Sequence, residues 1–368
     1  MEHLAQPQSA PGTGRRARDL GIVIGRAATG PLNAITDVPG VRVGHTTVRR
    51  PPGVHSGVTA VVPDGVGPRT PLPAGAFTGN GYGKLIGTTQ LAELGTLETP
   101  VLLTSTLSAF RVADALVGWT LERPGCEEVR SLNPVVGECN DGFLSDIRAR
   151  PVHEEHVRAA LDAASGGPVA EGCVGAGTGT VALGFKAGIG TASRTPDLEG
   201  RRFAAGVLVQ ANFGGTLRVL GRTVTPGSVG LEADDPAAGG ETGSCMIVVA
   251  TDAPLDARQL TRAARRAVFA LARSGAAYSH GSGDYAVAFS TRPGGAGVSV
   301  ADAALGPLFE AVLDGVEEAV INSLLAARTT TGFNGHTAPA LPADRLLSAL
   351  TAGPFGPDES GSCGARRL

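Results

Sequence analysis

The chain has 368 residues, 31 Lys+Arg against 34 Asp+Glu, and a formal net charge of −3. That balance gives no support for a polyanionic partner such as nucleic acid. Glycine (54) and proline (25) are abundant, yet 42% of residues are hydrophobic and only 4% are aromatic. This excludes a disordered composition, argues against aromatic stacking platforms, and points to many short elements joined by tight turns.

Residues 1–14 read as a disordered tail. The Arg15–Arg16 pair that follows has no apolar stretch behind it, so no signal peptide is expected. No apolar run reaches the roughly 18 residues that a membrane span needs. Residues 35–48 read as turn, strand, turn, with Val41 and Val43 alternating after Pro39-Gly40. Strands follow over 58–65 and 101–106. Residues 107–122 carry Phe110, Ala113, Leu116, Val117 and Leu121 at helical spacing. A second helix is predicted over 153–165, capped around Pro151.

The glycine-rich stretch 172–194 reads as strand–turn–strand. Residues 203–215 predict a strand ending at Asn212 and Gly214-Gly215. Residues 228–243 form a polar loop with Asp234 and Asp235, and an apolar strand runs over 245–251. Residues 255–274 make an amphipathic helix with Leu260, Ala264, Val268 and Leu271 on one face. Residues 284–291 alternate as a half-buried strand, 301–327 hold one or two helices, and the end from Pro354 reads as a loose tail. Strands and helices alternate without a linker, which favours one compact α/β or α+β unit.

Several motifs invite a chemical reading. The five cysteines (Cys126, Cys139, Cys173, Cys245 and Cys363) lack CxxC spacing and are odd in number. That speaks against a disulfide framework or a zinc ribbon and for a reducing, cytoplasmic setting. The runs at 79–84 (GNGYGK) and 175–180 (GAGTGT) fit neither the P-loop nor the dinucleotide pattern and read as structural turns. His153 and His156 sit three apart beside Glu154 and Glu155. They read as a solvated helix face, not half of a metal site. His45, His55, His280 and His336 are scattered, and no GxSxG elbow anchors a Ser-His-Asp triad.

The Gly243-Ser244 junction differs, because a glycine-containing loop runs directly into a serine that opens an apolar strand. That arrangement suits N-terminal-nucleophile chemistry. The hydroxyl attacks the preceding carbonyl, and the freed α-amine, with an ordinary pKa of about 7.7–8.0, then serves as its base. Glycine before the serine would tolerate a strained backbone. Read from composition alone, Gly-Ser is also a common loop pair.

A set of segments tips this balance: 16–22, 33–47, 131–147, 175–194, 207–215, 243–255, 281–291 and 318–342. In this order they resemble the S58 peptidases, the family of L-aminopeptidase/D-esterases and β-aminopeptidases, over about residues 15–345. The resemblance implies an α+β fold, a four-layer αββα sandwich of the N-terminal-nucleophile-hydrolase type, as a single peptidase domain. It implies cleavage between Gly243 and Ser244 into an α chain (1–243) and a β chain (244–368) that stay associated, and oligomers of such pairs.

By the same resemblance, Ser244 is the nucleophile and Asn212 an oxyanion donor. Ser282 and Asp284 form a Ser-x-acid pair near the new amine, and Glu138 meets the substrate's ammonium. Two departures stand out. Asp284 is one methylene shorter than the glutamate of β-aminopeptidases. A family tyrosine is absent from the segment 137–143, where Asn140 or Phe143 stands, and an Asn140 side-chain N–H could replace its hydroxyl. No metal or organic cofactor is implied, and the substrate would be a small peptide, amide or ester. Two rival readings are an amidase or acyltransferase on the same scaffold (nylon-oligomer-hydrolase-like or ornithine-acetyltransferase-like), whose usual nucleophile is threonine, and a non-catalytic binding protein that keeps the fold.

Overall fold

Strand periodicity carries most of the architecture. A computed structural model describes residues 15–232, 243–292 and 300–351. Both expected tails, Cys363, and the acidic pair Asp234 and Asp235 lie outside the described residues. The first strands are β1 (Val41–Arg50), β2 (Val54–Pro63), β3 (Leu72–Gly81), β4 (Leu85–Ile86), β5 (Thr96–Leu97), β6 (Val101–Ser105) and β7 (Val135–Cys139). The later ones are β8 (Ile189–Arg194), β9 (Ala205–Asn212), β10 (Gly243–Thr251) and β11 (Ser282–Ser290). Four helices cover them: α1 (Ala109–Leu121), α2 (Glu154–Asp162), α3 (Ala257–Ser274) and α4 (Gly306–Leu325).

The strands form two mixed sheets. One is five-stranded in the order β1-β2-β6-β7-β4, the other six-stranded in the order β8-β9-β10-β11-β3-β5. Because side chains alternate across a strand, each sheet presents two apolar faces that need separate covers. One face of each sheet meets the other in a shared core of Val43, Val61, Leu103, Leu208, Met246, Val248 and Val287. The outer face of the six-stranded sheet packs on α3 and α4 through residues such as Val207, Ile247, Val249, Leu260, Val268 and Val316. The outer face of the other packs on α1 and α2 through Val58, Leu102, Leu116, Val136 and Val157. These are the four αββα layers that the resemblance implied.

The helix over 257–274 shows how the sequence writes its own ends. The side chain of Asp256 accepts from Gln259 N at 2.7 Å, Gln259 Oε1 accepts from Asp256 N at 3.2 Å, and Gly275 ends the helix at φ 97°. That is a reciprocal N-terminal cap with a left-handed glycine stop. The expected face, Leu260, Ala264, Val268 and Leu271, is buried. The histidine pair has a structural role: His156 Nδ1 accepts from His153 N at 3.0 Å and caps α2 two residues after Pro151.

Two expectations need correction, and a third is narrowed. In α1 the buried side is Val112, Ala113, Ala115, Leu116 and Thr120, while Phe110 and Leu121 are exposed. Small alanines fit against the sheet where bulkier residues would hold the helix away. Strand β11 is buried along its whole length and not half-buried, because α3 covers one face and the other sheet the second. The region 301–327 contains one long helix, α4, entered through a short 3-10 turn at Asp302–Ala304.

Candidate active site

Strand β10 runs through the middle of the six-stranded sheet, and Ser244 is its second residue. Its neighbours bring distant segments to the same end. Antiparallel β9 sets Asn212 opposite Ser244, and parallel β11 sets Ser282 opposite Gly243 and Gly283 opposite Ser244. Alternation then sorts the side chains. Ser244 and Asn212 share the face of Met246 and Leu208, toward the other sheet, whereas Ser282 and Asp284 share the face of Cys245 and Ala286, toward the helices.

On the inter-sheet face, Asn212 Nδ2 lies 3.5 Å from Ser244 Oγ and donates to the Asn140 carbonyl at 3.0 Å. Its Oδ1 accepts from Val181 N at 3.0 Å, which fixes the amide with its nitrogen toward the serine. Two residues back, Gln210 donates to the carbonyls of Thr104 and Ala176 at 3.1 and 2.9 Å and ties the two sheets together beneath the site. Cys139 Sγ adds a contact to the Ser244 carbonyl at 3.6 Å. Among the described residues the side-chain partner of Ser244 Oγ is this amide, so no Ser-His-Asp triad is assembled there.

Ser244 is only 3% exposed but lines a cavity of about 290 Å³ with Gly81, Tyr82, Lys84, Thr106, Glu138 and Asn140. Asn140 follows the end of β7. Its side-chain oxygen accepts from Gly142 N at 2.9 Å, and the residue lines the cavity. Phe143 stacks on His336 at 4.7 Å between ring centroids and is absent from the cavity wall. Of the two candidates for the place of the missing tyrosine, the one with a donor lines the cavity.

Glu138 is not a solvated loop acid. It is the penultimate residue of β7, 2% exposed, and accepts from Lys84 N at 2.9 Å, from Lys84 Nζ at 3.3 Å and from Thr106 Oγ1. Lys84 and Thr106 are the residues sequence reasoning missed. The 79–84 run is a turn, as expected, but it also forms one wall of the cavity. A signal was present: of 31 Lys+Arg, only Lys84 and Lys186 are lysines. Lys186 is fully buried and donates to the carbonyls of Gly177, Thr180 and Ala187 at 3.1, 2.9 and 2.6 Å.

On the helix face, Ser282 Oγ donates to Asp284 Oδ1 at 3.0 Å. The other oxygen, Oδ2, is buried without a hydrogen-bond partner among the described residues. Burial pushes the Asp284 carboxyl up to about 6, partly offset by the Ser282 hydroxyl. Gly243 sits directly against this pair, since a Cβ added there would lie 3.2 Å from Ser282 Oγ. This corrects the expected reason for glycine at 243. Its φ is not positive and it lies in an extended strand, so what matters is the space its missing side chain leaves for Ser282.

The layered sheets match the N-terminal-nucleophile hydrolase fold of the serine aminopeptidases. The chain belongs to peptidase family S58, whose model matches residues 33–338. It is 41% identical over 374 residues to the beta-peptidyl aminopeptidase BapA of Sphingosinicella microcystinivorans, covering 93% of each chain. Among solved structures, a Burkholderia sp. beta-aminopeptidase superposes with a TM-score of 0.83 at 40% identity, over 91% of this chain and 98% of that one. The L-aminopeptidase D-Ala-esterase/amidase of Ochrobactrum anthropi superposes with a TM-score of 0.82 at 39% identity, with the same coverage. It is described as a prototype for the serine aminopeptidases and a new variant among the Ntn hydrolase fold. Among the described residues no helix is long and apolar enough to cross a membrane.

Proposed function

We propose that this aminopeptidase cuts itself between Gly243 and Ser244 and then uses Ser244 to release N-terminal residues from short peptides, amides or esters. In self-cleavage, Ser244 Oγ bonds to the Gly243 carbonyl carbon, the C–N bond breaks, and the hydroxyl proton ends on the departing amine. Water then hydrolyses the ester and restores the hydroxyl. The new α-amine acts as base for its own hydroxyl.

In turnover the amine takes the Ser244 proton, Oγ attacks the substrate carbonyl, and the proton passes to the leaving amine. Water deacylates the ester by the reverse path. Asn212, joined by the Asn140 amide, donates to the developing oxyanion. Glu138 receives the substrate's ammonium, and Ser282 with Asp284 holds the ammonium of Ser244 on the opposite face. The relatives' names point to β-amino acyl groups among the substrates. After the cut, eight residue pairs between β9 and β10 still join the two chains, which supports a lasting αβ unit, with oligomers of such units as a further expectation.

The observation that carries this reading is the Asn212 amide, anchored through its oxygen and set 3.5 Å from Ser244 Oγ at the cavity wall. The test is the intact mass of the purified protein under denaturing conditions beside a Ser244→Ala variant. Two fragments joining at Gly243/Ser244 in the native chain, and one uncut and inactive chain in the variant, are the expected result. A single uncut native chain with full activity would overturn the mechanism.

A further inference from the structure

The cavity beside Ser244 carries two opposite formal charges on one wall. Lys84 Nζ stands 3.3 Å from Glu138 Oε1, and both side chains face the same space as Ser244 and Asn140. The pair is net neutral. A substrate with only an ammonium finds its acid already matched, and it must compete with a tethered lysine. A substrate head bearing an ammonium and a carboxylate on the same carbon meets both charges at once, ammonium to Glu138 and carboxylate to Lys84, and the four charges close into an alternating cycle.

The residue type fits that task. The chain uses arginine for nearly all its cations but places one of its two lysines here. An ammonium on a four-carbon stem is a compact point charge with three donors, free to turn from Glu138 to a ligand, where a planar guanidinium would stay locked in a fork on the acid. Lys84 keeps that freedom, with its side chain 36% exposed, while Glu138 is fixed by Thr106 and by the Lys84 backbone N–H.

We infer that Lys84 forms a carboxylate subsite and that the substrates include N-terminal β-aspartyl residues. A β-aspartyl group is a β-amino acyl group whose amine-bearing carbon also carries a carboxylate, with the scissile carbonyl one methylene away. An ordinary N-terminal α-residue has no carboxylate on that carbon. The inference rests on the aminopeptidase reading above and specifies the class of acyl group it takes.

The test compares kcat/KM for β-aspartyl, β-alanyl and L-alanyl p-nitroanilides, using the purified native protein and the variants Lys84→Met and Lys84→Arg. The native enzyme is expected to cleave the β-aspartyl substrate. Loss of a charge-assisted contact in Lys84→Met should lower the β-aspartyl to β-alanyl ratio by about tenfold, and Lys84→Arg, whose guanidinium stays forked on Glu138, should lower it by more than about threefold. A native enzyme that cleaves an alanyl substrate but not β-aspartyl overturns the inference and leaves the aminopeptidase reading standing. Equal losses on both substrates in Lys84→Met also overturn it, since Lys84 would then serve only to hold Glu138. Silence toward all three substrates overturns the aminopeptidase reading itself and the inference with it.

Discussion

The two faces of β10 at Ser244 hold acids in opposite states. On the inter-sheet face Glu138 is met by a backbone N–H, a hydroxyl and an ammonium. On the helix face Asp284, equally buried, has, among the described residues, one hydroxyl donor and one bare oxygen. The first acid is satisfied before any substrate arrives. The second has no cation among the described residues, and cleavage of the Gly243–Ser244 bond would supply one within the same strand pair. Under the proposed function, this contrast would give substrate work to one face and care of the nucleophile's amine to the other.

The strongest challenge to this division is on the inter-sheet face. Asn212→Ala removes the donor nearest Ser244 Oγ, and kcat should fall by roughly 10²–10³ with a smaller change in KM. Steady-state kinetics on an alanyl p-nitroanilide would show it. An unchanged kcat would move the oxyanion site elsewhere on the cavity wall.

The next test is on the helix face and depends on pH. The Asp284 carboxyl is raised above its usual 3.8 to about 6 by burial. A raised acid contributes stability below about 4 and loses that contribution as pH rises through about 6. In the uncut Ser244→Ala chain, Asp284→Asn should therefore stabilise the fold at pH 7, by an amount on the order of 2 kcal/mol, and have little effect at pH 4. In the cut enzyme, where the new ammonium faces the carboxylate, the same substitution should be destabilising at pH 7. Thermal melts of both forms at the two pH values decide it. The same sign in both forms would mean that Asp284 does not hold the amine.

The smallest expected effect concerns the contact between Gly243 and Ser282. Gly243→Ala in the uncut Ser244→Ala chain puts a methyl 3.2 Å from Ser282 Oγ and should cost about 1 kcal/mol. Removing the hydroxyl as well, with Ser282→Ala, should cost less than the sum of the two single changes, because they share one contact. Denaturant titration of the four chains closes the cycle, and additive values would show that the contact carries no strain.

The sequence by itself determined the strands at 58–65, 101–106, 203–215 and 245–251, because apolar alternation between glycine and proline stops is a local property. It also determined both ends of the helix at 257–274, since Asp256 and Gln259 act within one turn at its start and Gly275 directly follows its last residue. The family segments made Ser244, Asn212, Ser282 and Asp284 legible as candidates, but not their arrangement. Which face of the sheet each one occupies depends on strand register across β9, β10 and β11, set by contacts more than thirty residues apart in sequence.

Tertiary structure alone decided the rest. Lys84 and Glu138 meet because β7 ends beside the turn that follows β3, and neither residue's local sequence encodes the other. Arg194 and Glu318 pair at 2.6 Å with both side chains fully buried, where a sequence reading would put them on the surface. A charge becomes a core residue only when a distant chain segment brings its partner, and periodicity, which counts a few residues at a time, cannot anticipate that meeting.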